Sequence, residues 1–357
     1  MALSQVGLER LNTATTDKIG KNKNKIINGS MICSQRGTSF TSDGFTLDRF
    51  ERQQSSDGAF TVTQSTTSPD DFAKSLKVDV TTADTSLAAA QYAQIKYKIE
   101  AQDLQDLAFG TSAAKTVTLS FYVRSNKTGN YAFAIQQSDN SFKQASFQYA
   151  ISSADTWERK TITIAGDTSG VINNDTGDGF ILLWALAAGT NLTSGSTRST
   201  FTTRVAADQY AGQGVNLLDS TSNEWYITGV QLEVGVATGF EHRSFAQELI
   251  LCQRYYTKLT GGGSNQLHFT GSTKQQQYVS CSRVELPTTM RAAPSISFTG
   301  TRDILNYSND NSGFSGDVID VDSFNVRWGS STTISDGTAY TAALTGNPNF
   351  VECSSEL

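Results

Sequence analysis

Short segments in which apolar and polar residues alternate recur along this chain, and they constrain its fold more than any other feature. In the segment 116–124, Val117, Leu119, Phe121 and Val123 share one face. Such alternation with period two is typical of a half-buried β-strand. Further strand-like segments, separated by Gly, Asn, Asp and Ser, lie at 61–64, 75–81, 130–136, 157–164 and 225–233, and a continuous apolar segment lies at 180–184. Many short strands with few helices between them indicate an antiparallel β-sandwich.

The composition agrees with a folded, strand-rich protein. Hydrophobic residues make up 38% of the 357 positions, and 29 glycines add to them, so the chain has enough apolar material for a sizeable core. Only 17% of the residues are charged, below the usual ~25%. The polar surface is therefore expected to consist largely of Ser, Thr, Asn and Gln.

The alternating segments also predict the core of the sandwich. The apolar run 180–184 indicates a central strand that is covered on both faces, and the turn 127–129 indicates a hairpin in which Gly129 takes a positive φ. The residues predicted to lie in the core are Phe121, Val123, Trp157, Leu183, Trp184, Ile227 and Leu232.

One segment, 244–256, has the spacing of a helix. Ser244 is placed to cap it, with Gln247 in the capping-box position three residues later, and the glycines at 261–263 end the element and mark a linker. A lone helix between two sandwiches has more apolar side chains than one domain would cover. The predicted contacts with neighbouring copies of the chain are therefore Phe245, Leu249, Ile250, Tyr255 and Tyr256; the alternative is a helix that bridges two domains of its own chain.

These patterns predict an all-β chain with four parts. Residues 1–27 hold too few apolar side chains to offset their ordering cost of ~1–2 kcal/mol per residue, so they are predicted to be an attachment arm. A sandwich follows at 28–243, then the helix and glycine linker at 244–263. Strand-like segments at 277–284, 295–298 and 323–328 predict a smaller C-terminal β-domain at 264–357.

Charge and hydropathy limit the partners. The chain has 28 basic and 34 acidic residues, a net charge of −6, which argues against nucleic-acid binding through a broad basic face. The longest apolar run, 180–188, is far shorter than the ~20 residues that span a bilayer, and no signal-peptide pattern opens the sequence. We therefore expect synthesis in the cytoplasm and no membrane insertion.

The sequence contains no recognisable catalytic or metal-binding motif. Its two histidines, His242 and His268, have no partner at zinc-ligand spacing, and nucleophile-elbow and phosphate-loop patterns are absent from the sequence. Asn/Asp/Gly clusters at 173–179 and 309–322 resemble turns more than calcium loops. We expect no catalytic residues, no metal and no cofactor. The four cysteines, Cys33, Cys252, Cys281 and Cys353, are expected to be reduced packing residues.

Several blocks of the sequence fall in a recognisable order over roughly residues 26–298. They lie at 27–39, 45–50, 80–87, 99–100, 109–112, 115–124, 156–164, 226–235, 237–243, 248–256 and 290–294. These blocks resemble a group of bacteriophage virion proteins, tail fibres and related appendages, that carry a jelly-roll domain similar to carbohydrate-binding modules. The chain departs from the group at Cys33 or Ser34, Phe50 and Tyr122, where the group often has Trp.

The resemblance implies a virion structural protein whose sandwich is a jelly roll. It favours a tail-fibre or spike subunit that adheres to host-surface polysaccharide, and it implies a homotrimer attached to other virion proteins through the N-terminal arm. The alternatives are a capsid fibre, knob or tail adaptor with a purely structural role and, third, a glycan-degrading enzyme. Ligand contacts are expected from exposed Tyr or Phe of the sandwich with Asn and Gln, and the sequence does not select individual residues.

Overall fold

The computed structural model describes residues 23–261, 267–273, 278–305, 314–317, 319–329 and 339–357. Most of the predicted attachment arm, residues 1–22, lies outside the described residues, as does the Asn-rich part of the second turn cluster at 306–313. No helix within the described ranges is long and apolar enough to cross a membrane.

Strands dominate the described chain, which confirms the all-β prediction. The strands are β1 (Ser39–Phe40), β2 (Gly44–Phe45), β3 (Phe50–Ser55), β4 (Ala59–Ser65), β5 (Ser75–Thr82), β6 (Tyr92–Glu100), β7 (Val117–Ser125), β8 (Gly129–Gln137), β9 (Lys143–Ile151), β10 (Glu158–Ile164), β11 (Asp178–Ala188), β12 (Glu224–Val234), β13 (Tyr256–Thr260), β14 (Leu267–Thr273), β15 (Tyr278–Glu285), β16 (Ser295–Leu305), β17 (Phe314–Asp317), β18 (Ser323–Gly329) and β19 (Ala339–Ser354). The α-helices are α1 (Thr190–Thr193) and α2 (Phe245–Gln253), and 3₁₀ helices lie at Ala101–Leu107, Ser138–Asn140, Ala206–Asp208 and Leu217–Asp219.

The chain divides into two compact units. In the described residues, the first, called here the jelly-roll unit, comprises 23–30, 54–60 and 65–242. The second, the C-terminal unit, comprises 31–53, 61–64 and 243–357. The segment 31–53 therefore groups with the C-terminal unit rather than with the sandwich, where the sequence analysis places it. Strands β1 and β2 in this segment have two residues each, too few for a period-two pattern to show which core they join.

Residues 23–27 belong to the jelly-roll unit and not to a separate arm. Ile26 is fully buried, the Lys25 amide donates to the Leu232 carbonyl at 2.9 Å, and the Asn24 side chain donates to the Val230 carbonyl at 3.1 Å. These bonds attach the segment to β12, which satisfies its backbone without a partner chain.

Two sheets form the jelly-roll unit. One contains the strands β5-β12-β7-β10 and the other β6-β11-β8-β9, in spatial order and with antiparallel pairing. Counted from β5 as the first strand, the orders are 1-8-3-6 and 2-7-4-5, the paired Greek keys of an eight-stranded jelly roll. The strand order thus confirms the jelly roll that the sequence resemblance implies.

The predicted hairpin between β7 and β8 is wrong. Gly129 has the expected positive φ of 133°, but β7 and β8 lie in different sheets. A jelly roll passes from sheet to sheet at this connection, and a glycine that turns the chain looks the same in sequence as one that closes a hairpin.

Large aromatic side chains fill the space between the two sheets. The rings of Phe121 on β7 and Trp184 on β11 meet edge to face with centroids 6.0 Å apart, and Phe133 on β8 lies 5.2 Å from Trp184. Phe121, Val123, Trp184, Ile227 and Leu232 are fully buried and Leu183 nearly so.

The central strand β11 is buried on both faces, as the apolar run 180–184 predicts. Phe180, Leu182 and Trp184 share one face of the strand, on which Trp184 meets the opposite sheet. Leu183 on the other face packs in a cluster with Tyr210, which belongs to the long connection 189–223. That connection therefore covers the outer face of this sheet.

A β-bulge in β12 explains why Ile227 and Leu232 both face the core, although one position is odd-numbered and the other even-numbered. Thr228 pairs with Tyr122 and Gln231 with Ser120, so β12 has one residue more than β7 between these pairs. Gly229, with φ 60°, supplies the left-handed conformation that such bulges use. Ile227 before the bulge and Leu232 after it consequently both point inward.

Trp157 does not lie in the core. It is half-buried and precedes β10, in which Ile162 and Ile164 point inward. Counting by two from these residues places position 157 on the outer face, where its ring packs against Tyr226 at 6.0 Å. The prediction that Trp157 lies in the core is therefore wrong, because period two counted from Ile162 and Ile164 assigns odd-numbered positions of this strand to the outer face.

The C-terminal unit is a smaller antiparallel sheet in the order β13-β19-β14-β15-β18-β17, with β16 also paired to β19. Its core contains Phe269, Leu286, Met290, Phe324, Val326, Leu344, Val351 and Cys353. Helix α2 starts at the predicted capping box, because Ser244 and Gln247 each bond the other's backbone.

Only part of the predicted oligomer face is exposed. Phe245 and Ile250 are 58% and 53% exposed and Leu249 is half-buried. Tyr255 and Tyr256 are buried inside their own unit. The Arg49 guanidinium lies 3.5 Å from the Tyr255 ring centroid, and the Arg36 guanidinium lies 3.6 Å from the Tyr256 ring centroid. Both tyrosines are therefore packing residues of the unit and are removed from the candidate interface.

Candidate functional site

An open cleft of about 480 Å³ lies on the jelly-roll unit. Most of the residues that line it are aromatic, and the others are one glycine and one aspartate. The lining residues are Asp71, Phe72, Tyr122, Gly239, Phe240 and His242. The volume falls within the ~300–1,000 Å³ of small-ligand sites.

Phe72 is the centre of the cleft. Its ring centroid lies 5.3 Å from that of Tyr122, 5.0 Å from Phe240 and 5.1 Å from His242. Phe240 and His242 are themselves 4.8 Å apart in an edge-on arrangement. The four rings therefore form one continuous surface, in which Phe72, Tyr122 and Phe240 are half-buried and His242 is exposed.

A tight turn before β5 presents Phe72. The Phe72 amide donates to the Pro69 carbonyl at 3.2 Å, and the Ser68 hydroxyl donates to the Phe72 carbonyl. Asp71 has a positive φ of 70°, a conformation that aspartate adopts more readily than most residues. The sequence Ser-Pro-Asp-Asp is typical of such turns, so this side of the cleft is fixed locally.

A buried polar network positions the chain that leaves β12. Gln231 accepts from the Glu241 amide at 2.8 Å and donates to the Gly239 carbonyl at 3.2 Å. Glu233 accepts from the Thr238 amide at 2.7 Å. These bonds hold residues 238–241 in place, and with them the Phe240 ring.

The strand β7 supplies the floor of the cleft through Tyr122. Its neighbours Phe121 and Val123 point into the core, so Tyr122 points outward. The Gly229 bulge lies beneath the rings, since a Cβ added there would be 2.7 Å from Phe72 and 2.9 Å from Tyr122. Glycine is therefore needed for both rings to lie on the sheet.

The cleft is suited to binding a flat, partly apolar ligand that also has hydroxyl groups. Ring faces offer apolar contact to C–H groups, while the Tyr122 hydroxyl, the His242 imidazole and the Asp71 carboxylate offer hydrogen bonds. Among the described residues that line the cleft, Asp71 carries the only carboxylate.

A second aromatic group on the same sheet does not form a cleft. The Tyr226 ring is covered by Trp157, Arg124 and Lys77 at 6.0, 5.0 and 5.7 Å. Its hydroxyl donates to Glu224 at 2.6 Å. Tyr226 is thus occupied by its neighbours, and Trp157 serves as a matched comparison for the rings of the cleft.

The sequence alone does not select the residues of the cleft. Contacts from Tyr or Phe of the sandwich were expected without individual positions, and the parity of β7 indicates only that Tyr122 points outward. Phe72, Phe240 and His242 lie in irregular segments, where periodicity gives no information about side-chain direction.

The turn cluster at 173–179 is bonded both within itself and to the loop after β8. The Gly177 amide donates to Asp175 at 2.8 Å, a local bond of the kind that aspartate makes in turns. The Asn173 amide and side chain donate to Asp139 at 3.0 and 2.9 Å.

Comparison with known proteins gives structural likenesses at low identity. No protein-family model matches the sequence, and no curated protein matches it. The enzymatically active domain of tailspike protein 4 from bacteriophage CBA120 is 12% identical with a TM-score of 0.34, covering 59% of this chain and 21% of that one. This chain thus spans about a fifth of the tailspike chain.

Carbohydrate-binding modules are also similar. The family 11 module of the Clostridium thermocellum cellulase Lic26A-Cel5E is 13% identical with a TM-score of 0.29, covering 58% of this chain and 98% of the module. TmCBM61, solved in complex with β-1,4-galactotriose, is 9% identical with a TM-score of 0.29, covering 60% and 99%. At these TM-scores the assignment of a jelly roll rests on the strand order of the chain itself.

Proposed function

We propose that this chain is a structural protein of a bacteriophage virion, a tail-fibre or spike subunit, and that its jelly-roll unit adheres to host-surface glycan. The observation that supports glycan binding is the cleft formed by Phe72, Tyr122, Phe240 and His242. The virion assignment is supported by the ordered sequence blocks that resemble phage appendage proteins.

The chemistry of a pyranose ring matches the cleft. One face of such a ring presents C–H groups that pack on an aromatic ring, and its edge carries hydroxyl groups that need hydrogen-bond partners. Three rings centred on Phe72 supply the apolar surface. Tyr122, His242 and Asp71 supply donors and acceptors at its rim.

Adhesion without catalysis is proposed, because the cleft has one carboxylate and is open. A single such contact is weak, and several copies on one particle increase the overall affinity through effective concentration. In this proposal the protein is made in the host cytoplasm, functions in the virion, and attaches to other virion proteins through the segment 1–22.

The experiment is a glycan array with the full-length protein, followed by calorimetry with the glycan that gives the strongest signal. We expect Tyr122→Ala and His242→Ala each to weaken binding about 5- to 30-fold, which corresponds to ~1–2 kcal/mol of lost contact and hydrogen bonding. The physical reason is that both side chains contribute ring surface and a polar atom at the cleft.

Trp157→Ala is the matched control, since it removes a half-buried aromatic residue from the same sheet outside the cleft. Its affinity should equal that of the unmodified protein. Circular dichroism and unfolding midpoints establish that each variant is folded. Equal losses in all three variants would contradict the site, and an array without signal would favour a purely structural virion role, as in a capsid fibre or tail adaptor.

A further inference from the structure

Three side chains with metal-ligating atoms lie together inside the C-terminal unit. The Sγ atoms of Cys33 and Cys252 and a carboxylate oxygen of Asp48 lie within 4.8 Å of one another. Each residue is 1% exposed, and the two thiols are hydrogen-bonded to each other. Within the described part of the chain, no other group of three His, Cys, Asp or Glu residues meets this distance.

The three residues come from separate segments that are tied together locally. Cys33 precedes β1, Asp48 lies between β2 and β3, and Cys252 lies in the last turn of α2. The Asp48 amide donates to the Cys33 carbonyl at 3.3 Å, which fixes the two loop residues relative to each other. The cluster is therefore held by the backbone as well as by side-chain packing.

The carboxylate is oriented by its own neighbours. The Gln35 side chain donates to Asp48 at 3.0 Å and its amide at 3.2 Å. A guanidinium nitrogen of Arg36 lies 3.7 Å from the same carboxylate. Hydrogen-bonded partners of this kind orient ligands in metal sites and adjust their basicity.

The distances suit a small thiophilic cation. Zinc binds sulfur at ~2.3 Å and carboxylate oxygen at ~2.0–2.2 Å, so tetrahedral ligand atoms lie roughly 3.3–3.8 Å apart. Atoms within 4.8 Å of one another need to approach by at most about 1–1.5 Å to reach that separation. Three protein ligands leave one position of the tetrahedron for water.

The charges also balance. Two thiolates and one carboxylate carry three negative charges, and Zn²⁺ neutralises two of them. The remaining negative charge lies beside the Arg36 guanidinium, which also pairs with Glu356 at 3.1 Å. Arg49 pairs with the same Glu356, so the two guanidinium groups balance both negative charges. Binding releases the two thiol protons to solvent and involves no change of oxidation state.

We propose that Cys33, Asp48 and Cys252 form a zinc site that fastens the segment 31–53 to helix α2 within the C-terminal unit. A disulfide between the two cysteines is the competing use of the thiols. It would require an oxidant and would involve only the two thiols, whereas a zinc ion would bind the Asp48 carboxylate as well.

The test uses the full-length protein, reduced with a phosphine, stripped by a chelator and titrated with Co²⁺ and then with Zn²⁺. We expect a thiolate-to-cobalt charge-transfer band that saturates at one equivalent and disappears when Zn²⁺ displaces the cobalt. Cys33→Ala and Cys252→Ala should abolish the band. Asp48→Asn should weaken metal affinity at least tenfold.

Cys353→Ala is the matched control, because Cys353 is a buried cysteine of the same unit outside the cluster. It should keep the band and the affinity. A second measurement does not depend on variants: one equivalent of Zn²⁺ should raise the thermal midpoint of the unmodified protein, since a ligand that binds the native state stabilises it. Absence of the band in the unmodified protein overturns the proposal. The same holds if the protein is isolated with a Cys33–Cys252 disulfide and its reduced form binds no cobalt.

Discussion

A single carboxylate, Asp167, fastens a long loop to the jelly roll. The loop connects β10 to β11, and Asp167 accepts hydrogen bonds from the Ser169 amide at 2.9 Å, the Gln137 side chain at 2.9 Å and the Lys143 ammonium group at 3.0 Å. Burial raises the pKa of this carboxyl group, but the Ser169 and Lys143 bonds outweigh it and hold the pKa at about 2. The ionised form is therefore the one that stabilises the fold.

We expect Asp167→Asn to lower the free energy of unfolding by about 1–3 kcal/mol at neutral pH, because it replaces charged hydrogen bonds with weaker ones. The native pKa lies below that of the unfolded chain, so this stabilisation is complete above about pH 4 and declines as the pH falls toward 2. Urea unfolding of both proteins at pH 7 and near pH 2.5 measures the difference, which should shrink at acid pH. The control is Asp106→Asn, at an exposed carboxylate paired with Lys25, which should lower the free energy of unfolding by less than about 1 kcal/mol. A loss of stability in Asp167→Asn that does not change with pH would contradict the prediction.

At the scale of single residues, strand parity predicts more than side-chain type does. Phe121 and Tyr122 are adjacent aromatic residues, of which the first is fully buried and the second lines the cleft. The alternation of side chains along β7 places them on opposite faces of the sheet. Trp157 follows the same rule once the count starts from Ile162. The Cys33–Cys252 pair had no such indication, since residues so distant in sequence meet only through the tertiary fold.

At the scale of elements, the bulge in β12 joins the core to the cleft. Gly229 has a positive φ of 60°, and a methyl group there would meet the rings of Phe72 and Tyr122 at less than 3 Å. Gly229→Ala should therefore lower the free energy of unfolding by about 1–2 kcal/mol through backbone strain and should weaken glycan binding as the rings move apart.

Gly214→Ala serves as the control, because its added Cβ would meet its nearest neighbour at 3.7 Å, an ordinary contact. Denaturant unfolding and calorimetry of both variants measure the two effects. An alanine at 229 that leaves stability and affinity unchanged would show that neither the bulge nor the ring positions depend on glycine.

Elements with strong local patterns were predictable, whereas their connections were not. Alternating segments predicted β7 and β12, the apolar run 180–184 predicted β11, and Ser244 with Gln247 predicted the start of α2. These patterns depend on near neighbours in sequence. The β7–β8 connection was predicted as a hairpin although it crosses between sheets. The packing of the whole sandwich decides which strands pair, as the edge-to-face contact between Phe121 and Trp184 illustrates. Local sequence patterns do not contain that information.

At the scale of the whole molecule, the remaining exposed apolar residues of α2 indicate where copies of the chain would meet. Phe245 and Ile250 are more than half exposed, whereas Tyr255 and Tyr256 are used within their own unit. Two large apolar side chains exposed on one nine-residue helix gain free energy if a second chain covers them.

We expect the full-length protein to be a homotrimer at micromolar concentration, measured by multi-angle light scattering. The double substitution Phe245→Ser with Ile250→Ser should shift it toward monomer, because it removes apolar area from the helix face while leaving the core of the C-terminal unit unchanged. The matched control, Val205→Ser with Val236→Ser, removes two other exposed apolar side chains, 48% and 67% exposed, and should remain trimeric. A monomeric unmodified protein would contradict the assembly, and dissociation of both double variants would show that α2 is not its interface. If the trimer is present, three clefts on one particle bind a repeating glycan more tightly than one, and the monomeric variant should lose that gain while keeping the affinity of a single site.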